Sequence, residues 1–238
     1  MGNAFDGEPY IAVNPTNTNH LVVAWMGFTS IQQRFQIQTR VSFDGGKSWS
    51  NKSVIAHEVN GYSSADPIVA FNKNGEPYLC YIDFTGSQPP VTGGIFLRKS
   101  LDGGLTWQSA KEVISTNYDL PKWPIDRPWL KINRFKTPEE IYVTSFNLNR
   151  AAAPYNPYIS YSKDDGNSFT SRYLDSASWL AGSIIPLPVC SPSVGSDGTF
   201  YGTYPSLVFS QALYPRSILV RSNNISSGFE YFESQRLS

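Results

Sequence analysis

The sequence is poor in the groups that usually announce a chemistry. Two cysteines in 238 residues exclude a disulfide framework. The two histidines, His20 and His57, stand far apart without metal-ligand spacing, so neither a metal nor a cofactor is expected. No glycine-rich dinucleotide or phosphate loop occurs. Charge is scarce, at 16% of residues, and balanced at 19 acidic against 19 basic side chains. Without a basic excess, no nucleic-acid partner is expected. No run reaches the roughly 18 apolar residues of a membrane span. The longest mostly apolar stretch, Trp179 to Cys190, is broken by Gly182, Pro186 and Pro188. The first residues carry neither a basic nor an apolar segment, so no leader is read there. Nor does any segment hold a convincing helical period.

What the chain does have is aromatic residues, 14% of the total, with 18 glycines and 17 prolines. That load argues against disorder and for frequent turns. It also has a repeat. Ser42-Phe-Asp44-Gly-Gly46-Lys-Ser48-Trp49 returns as Ser100-Leu-Asp102-Gly-Gly104-Leu-Thr106-Trp107, and as Ser162-Lys-Asp164-Asp-Gly166-Asn-Ser168-Phe169. A fourth copy, Ser222 to Phe229, has Asn224 where the others have Asp. A second landmark runs in phase: Glu8-Pro9, Asp66-Pro67, Arg127-Pro128 and Ser191-Pro192, the prolines 58, 61 and 64 residues apart. Short apolar segments separated by Gly, Pro, Asn and Asp lie between the landmarks, four to a repeat in the first two. They read as strands at Pro9–Val13, Leu21–Trp25, Phe35–Val41 and near Val54-Ile55, then again from Ile68 onwards. Four strands per repeat predict an all-β chain of propeller blades. The expected organisation is one region over 1–238, with repeats of about 8–65, 66–126, 127–190 and 191–238. The fourth repeat lacks a clear outer strand in the sequence.

The residue types of the Ser-x-Asp motif suit a hairpin turn. Its Asp can accept from backbone N–H groups, its glycines can take positive φ, and its hydroxyls can join the same network. The aromatic that closes it (Trp49, Trp107 or Phe169) is expected to fold back and bury a face in the blade.

This motif resembles the Asp-box, or BNR repeat, of the sialidase-like β-propeller superfamily, over essentially the whole chain. The resemblance implies a six-bladed propeller, of which about four blades are present. It also implies an active site at the end of the blades away from the Asp-boxes, where the first strands begin. There the sequence offers Asp66, Asp126 and Arg127 as candidate catalytic residues, with Glu8 and Ser191 at equivalent positions. Nearby connections carry Tyr62, Tyr118, Trp123 and Trp179, which can either stack on sugars or cap the blades. The structural Asp-box positions are Asp44, Gly46, Trp49, Asp102, Gly104, Trp107, Asp164, Gly166 and Phe169. Family sialidases clamp the substrate carboxylate with three arginines and carry an Arg-Ile-Pro stretch. Here the matching landmark reads Glu8-Pro9-Tyr10, and Arg127 is the arginine placed at a first strand. Arg34 and Arg150 lie in loops at the same end.

Two functions are therefore open. One is an exo-glycosidase of exo-α-sialidase type acting on glycans. The other is a non-catalytic propeller that binds glycan or protein. Either would take a carbohydrate or protein partner outside a bacterial cell or on its surface. Cys80 and Cys190 read as buried hydrophobes, and His20 as a solvated turn residue.

Overall fold

The computed structural model describes residues 5–28, 30, 34–85, 92–147, 153–185 and 189–233. Within them the chain is all-β, with four antiparallel four-stranded sheets, each strand bonded to the next in sequence. The first sheet is β1 (Phe5–Asn14), β2 (Asn17–Phe28), β3 (Gln36–Ser42) and β4 (Ser53–Val54). The second is β5 (Ser63–Phe71), β6 (Pro77–Phe84), β7 (Gly93–Lys99) and β8 (Lys111–Ser115). The third is β9 (Asp126–Asn133), β10 (Glu140–Phe146), β11 (Pro157–Ser162) and β12 (Thr170–Tyr173). The fourth is β13 (Ser191–Val194), β14 (Phe200–Ser206), β15 (Arg216–Ser222) and β16 (Glu230–Glu233). These are four propeller blades, one per sequence repeat. The outer strand that the fourth repeat hides in its sequence is present as β16. Glu230-Tyr-Phe-Glu233 is too short and too polar to stand out, but its backbone pairs with Ile218–Arg221.

The blades group into two compact units, residues 1–115 and 116–238. In the first, Val22, Ala24, Ile37, Val41, Val69, Leu79 and Tyr81 form a closed apolar core, with Trp107 packed on it. In the second, Tyr142, Ile159, Phe200, Tyr204, Ile218 and Val220 do the same, with Trp179 and Phe229 at the margin. Burial alternates over Leu21–Ala24 of β2, as a strand with one covered face requires, whereas β10 is buried along its whole length. Cys80 and Cys190 are both buried free thiols. Burial pushes the Cys190 thiol up to about 12, which keeps it inert.

His20 departs from expectation. It is 5% exposed and lies within β2, not in a turn. Its Nδ1 meets Asn14 Nδ2 at 2.9 Å and its Nε2 meets the Gly103 carbonyl at 2.7 Å, so the ring ties the first blade to the turn of the second. A polar ring in such a place is kept because both nitrogens have partners.

Candidate functional site

Each sheet has two ends, and the motif turns occupy one of them. In the first turn Ser42 Oγ donates to Asp44 Oδ1 (2.8 Å) and accepts from Gly46 N (2.8 Å). Ser48 donates to the same carboxylate through its N–H (2.9 Å) and its hydroxyl (2.5 Å). Ser100, Asp102, Gly104 and Thr106 repeat this set, as do Ser162, Asp164, Gly166 and Ser168. The Ser48 hydroxyl and N–H hold the Asp44 carboxyl down at about 2. Burial opposes ionisation of Asp102, but the Thr106 and Ser100 donors outweigh it and its carboxyl is also lowered. Three donors within the turn hold each carboxylate, so these carboxylates close hairpins. The aromatics differ from expectation. Trp107 packs on the core and donates to Thr39 of the preceding blade (3.2 Å), but Trp49 remains 36% exposed and donates to the Gly46 carbonyl of its own turn (3.2 Å).

The opposite end carries the X-Pro landmarks, and three of the four share an unusual backbone. Glu8, Asp66 and Arg127 have φ of 50°, 52° and 47°. A non-glycine residue there costs about 1–2 kcal/mol and persists only where its surroundings impose it. At each one the ladder slips: between Gly7 and Tyr10 on β1, between Ala65 and Ile68 on β5, and opposite Thr144 and Phe146 on β9. A bulge of this kind turns a side chain out of the alternation of its strand. Ser191, the fourth landmark, opens β13 with no slip in its pairing. In the first unit β1 and β5 pack together, so Glu8 and Asp66 stand on neighbouring first strands. Glu8 is exposed and Asp66 half-buried. In the second unit Asp126 Oδ1 accepts from the Arg127 N–H (3.0 Å), and Arg127 is exposed. Two residues on, the buried Trp129 Nε1 has no hydrogen-bond partner among the described residues.

Two buried carboxylates that sequence reasoning passed over support this end. Asp83, fully buried on β6, accepts from Ser64 Oγ (2.9 Å) and the Glu58 N–H (2.6 Å), and meets His57 Nδ1 at 2.9 Å. It thereby anchors the connection between the first two blades beside the Asp66 bulge. Its only sequence signal is an acid at the end of an otherwise apolar strand. Asp175 does the same in the second unit, accepting from Asn156 Nδ2 (2.9 and 3.0 Å) and the Ala181 N–H (3.0 Å). Burial pushes its carboxyl up to about 6 against the pull of those donors.

The aromatic candidates divide. Tyr62 and Trp123 are each 6% exposed, so of the two readings open for them they take the packing one. Tyr62 donates to Thr92 Oγ1 (3.1 Å). Trp179 is half-buried, stacked on Tyr231 (6.1 Å, 7°) with Arg216 over it at 5.7 Å. Tyr118 is 45% exposed. Arg34 is exposed. Arg150 and the loop residues 31–33, 86–91 and 148–152 lie outside the described residues.

No family model and no curated protein matches the sequence. Solved structures do match the fold. A protein of unknown function from Dyadobacter fermentans superposes with a TM-score of 0.63 at 14% identity, over 96% of this chain and 68% of that one. The Hadza microbial sialidase Hz136 gives 0.62 at 12% identity, over 96% and 46%. The α-L-arabinanase of Penicillium chrysogenum, solved with arabinobiose, gives 0.59 at 17% identity, over 96% and 66%. The chain thus shares the β-propeller fold of these structures and spans about half to two thirds of the length of the two enzymes.

Proposed function

We propose that the protein is a β-propeller glycoside hydrolase, with Asp66 as a catalytic carboxylate. The observation that carries this reading is the left-handed, bulged backbone at Glu8, Asp66 and Arg127. Backbone strain repeated at one position of three blades, on residues of opposite charge and three different sizes, is poor hairpin engineering. It fits the re-aiming of functional groups. Glycoside hydrolysis needs paired carboxyl groups, one to protonate the leaving oxygen and one to act as base or nucleophile. Glu8 and Asp66 are the carboxylates that two packed neighbouring first strands carry at the landmark.

An exo-α-sialidase would need several arginines to hold an anionic sugar. Among the described residues, Arg98 is bound to Glu58 (2.6 Å), Arg221 to Glu230 (2.7 Å), and Arg216 to Gln211 (2.8 Å). Of the four landmark positions only the third holds an arginine, Arg127, which favours a neutral glycan over a sialoside.

The test is a panel of aryl glycosides that includes an α-L-arabinofuranoside and an α-sialoside. The expected result is release from a neutral glycoside, lost in Asp66→Asn. No release from any member by the folded protein overturns the reading. Glycan binding without release would make this the non-catalytic propeller instead.

A further inference from the structure

The third blade carries a second feature that the landmark residues do not use. Tyr118, in the connection before β9, and Tyr173, at the end of β12, are 45% and 44% exposed. The fully buried Tyr158 backs both, its ring centroid 6.1 Å from Tyr118, edge-on at 88°, and 5.6 Å from Tyr173, tilted by 42°. All three phenol groups are tied. Tyr118 donates to the Ser171 carbonyl (2.6 Å), and Tyr158 and Tyr173 donate to the two oxygens of Asp119 (2.6 and 2.7 Å). The Lys122 ammonium sits 5.6 Å from the centre of the Tyr173 ring and 3.7 Å from Asp119 Oδ2. Exposed tyrosines on a surface are ordinary. Two exposed tyrosines backed by a third, with two of the three phenols fixed through one carboxylate, are a rigid aromatic platform, whose ordering cost is met before any ligand arrives.

We propose that Tyr118 and Tyr173 form a binding platform for a neutral sugar ring of a glycan chain. The apolar C–H face of a sugar stacks on aromatic rings. The polar rim is Asp119 and Lys122, and a carboxylate has about four lone-pair sites, of which the phenols use two. Asp119 and Lys122 offset each other in charge, so the platform suits a ring without charge. Its position follows from strand register. Asp126 pairs with Phe146, Phe146 with Pro157, and Tyr158 with Tyr173. The platform therefore sits at the same end of the third sheet as Asp126, three strand spacings away, or about 14 Å. A chain held at both places would be longer than a single sugar. The choice of a sugar as ligand rests on the glycoside-hydrolase reading.

Affinity electrophoresis of the folded protein in gels containing soluble arabinan, xylan or polysialic acid tests this without requiring turnover. Retardation is expected in a neutral gel, weakened about fivefold or more in Tyr118→Ala and Tyr173→Ala. Tyr118→Phe, which keeps the ring, is expected to retain it, and circular dichroism confirms that each variant is folded. No retardation of the wild type, retardation unchanged in both alanine variants, or stronger retardation in polysialic acid than in either neutral gel overturns the proposal. If the tyrosine variants lose binding while no aryl glycoside is cleaved, the platform stands and the hydrolase reading falls. If glycosides are cleaved and the variants bind as wild type, the reverse holds.

Discussion

Ser42–Ser48, Ser100–Thr106 and Ser162–Ser168 make the same five hydrogen bonds in three blades. At the other end of the same sheets, Glu8, Asp66 and Arg127 share a backbone conformation but not a side chain. The first pattern is what a structural device looks like: identical chemistry, satisfied internally, with side chain and backbone specified together. The second holds the backbone constant and lets the side chain vary from blade to blade. A scaffold that aims different groups from one repeated position has that form. The proposed function accordingly rests on the bulged end.

The sharpest way to break this comparison is at Asp66. Asp66→Asn keeps the side-chain shape and removes the charge. It is expected to lower turnover on any active glycoside by about 10²–10⁴-fold, with the melting temperature little changed. Asp66→Gly relieves the positive φ and is expected to raise stability by about 1 kcal/mol while also abolishing turnover. If Asp66→Gly stabilises nothing, the bulge is not strained. If Asp66→Asn retains full activity, the two ends do not differ in the way described.

Asp83 tests whether the bulged end is held from below. Asp83→Ala would leave His57, Ser64 and the Glu58 N–H without their buried acceptor. A loss of about 3 kcal/mol in denaturant unfolding is expected. A loss below about 1 kcal/mol would mean that the first connection is anchored elsewhere.

Much of the fold is legible in the sequence, and the reason is local. The Ser-x-Asp turn is specified by residues within eight positions, so its chemistry survives as a visible motif. The X-Pro landmark is likewise short, and its residue types alone mark Asp66, Asp126 and Arg127 as candidates. Three things stay hidden. The positive φ at the landmarks depends on strand pairing, which no single residue shows. The burial of Tyr62 and Trp123 depends on neighbours distant in sequence, so exposed and packed aromatics look alike in the chain. The roles of Asp83 and Asp175 depend on partners up to 26 residues away. The β16 strand escapes notice for a related reason: its four residues owe their conformation to pairing with β15 and little to their own propensity.

Protonation distinguishes the two ends by sign. Asp44 has a folded carboxyl near 2, below its ordinary 3.8, so its contribution is present above about pH 4 and lost as pH falls toward 2. Asp175 has a folded carboxyl raised to about 6, so the folded state holds its proton more tightly than the unfolded chain does. Its contribution is full below about pH 4 and lost as pH rises through 6, by on the order of 2–3 kcal/mol. Stability measured from about pH 3.5 to 7 is expected to show that decline in the wild type and to lose it in Asp175→Asn. A decline that persists in the variant would assign it to another group.

The smallest effect probes the turn end by itself. Gly45 and Gly103 follow the motif Asp with φ of 75° and 78°, and the third blade places Asp165 there at 63°. The hydrogen-bond network is unchanged by this, so the geometry is imposed by the turn and not chosen by the residue. Asp tolerates positive φ better than most side chains but less well than glycine. Asp165→Gly is therefore expected to stabilise the second unit by about 0.5 kcal/mol, partly offset by the entropy a glycine adds to the unfolded chain. The same substitution at Asp66 should give a larger gain, because a bulge before proline leaves the backbone fewer ways to relax. Equal gains at the two sites would show that both ends carry the same strain, and the difference between them would then lie in side-chain chemistry alone.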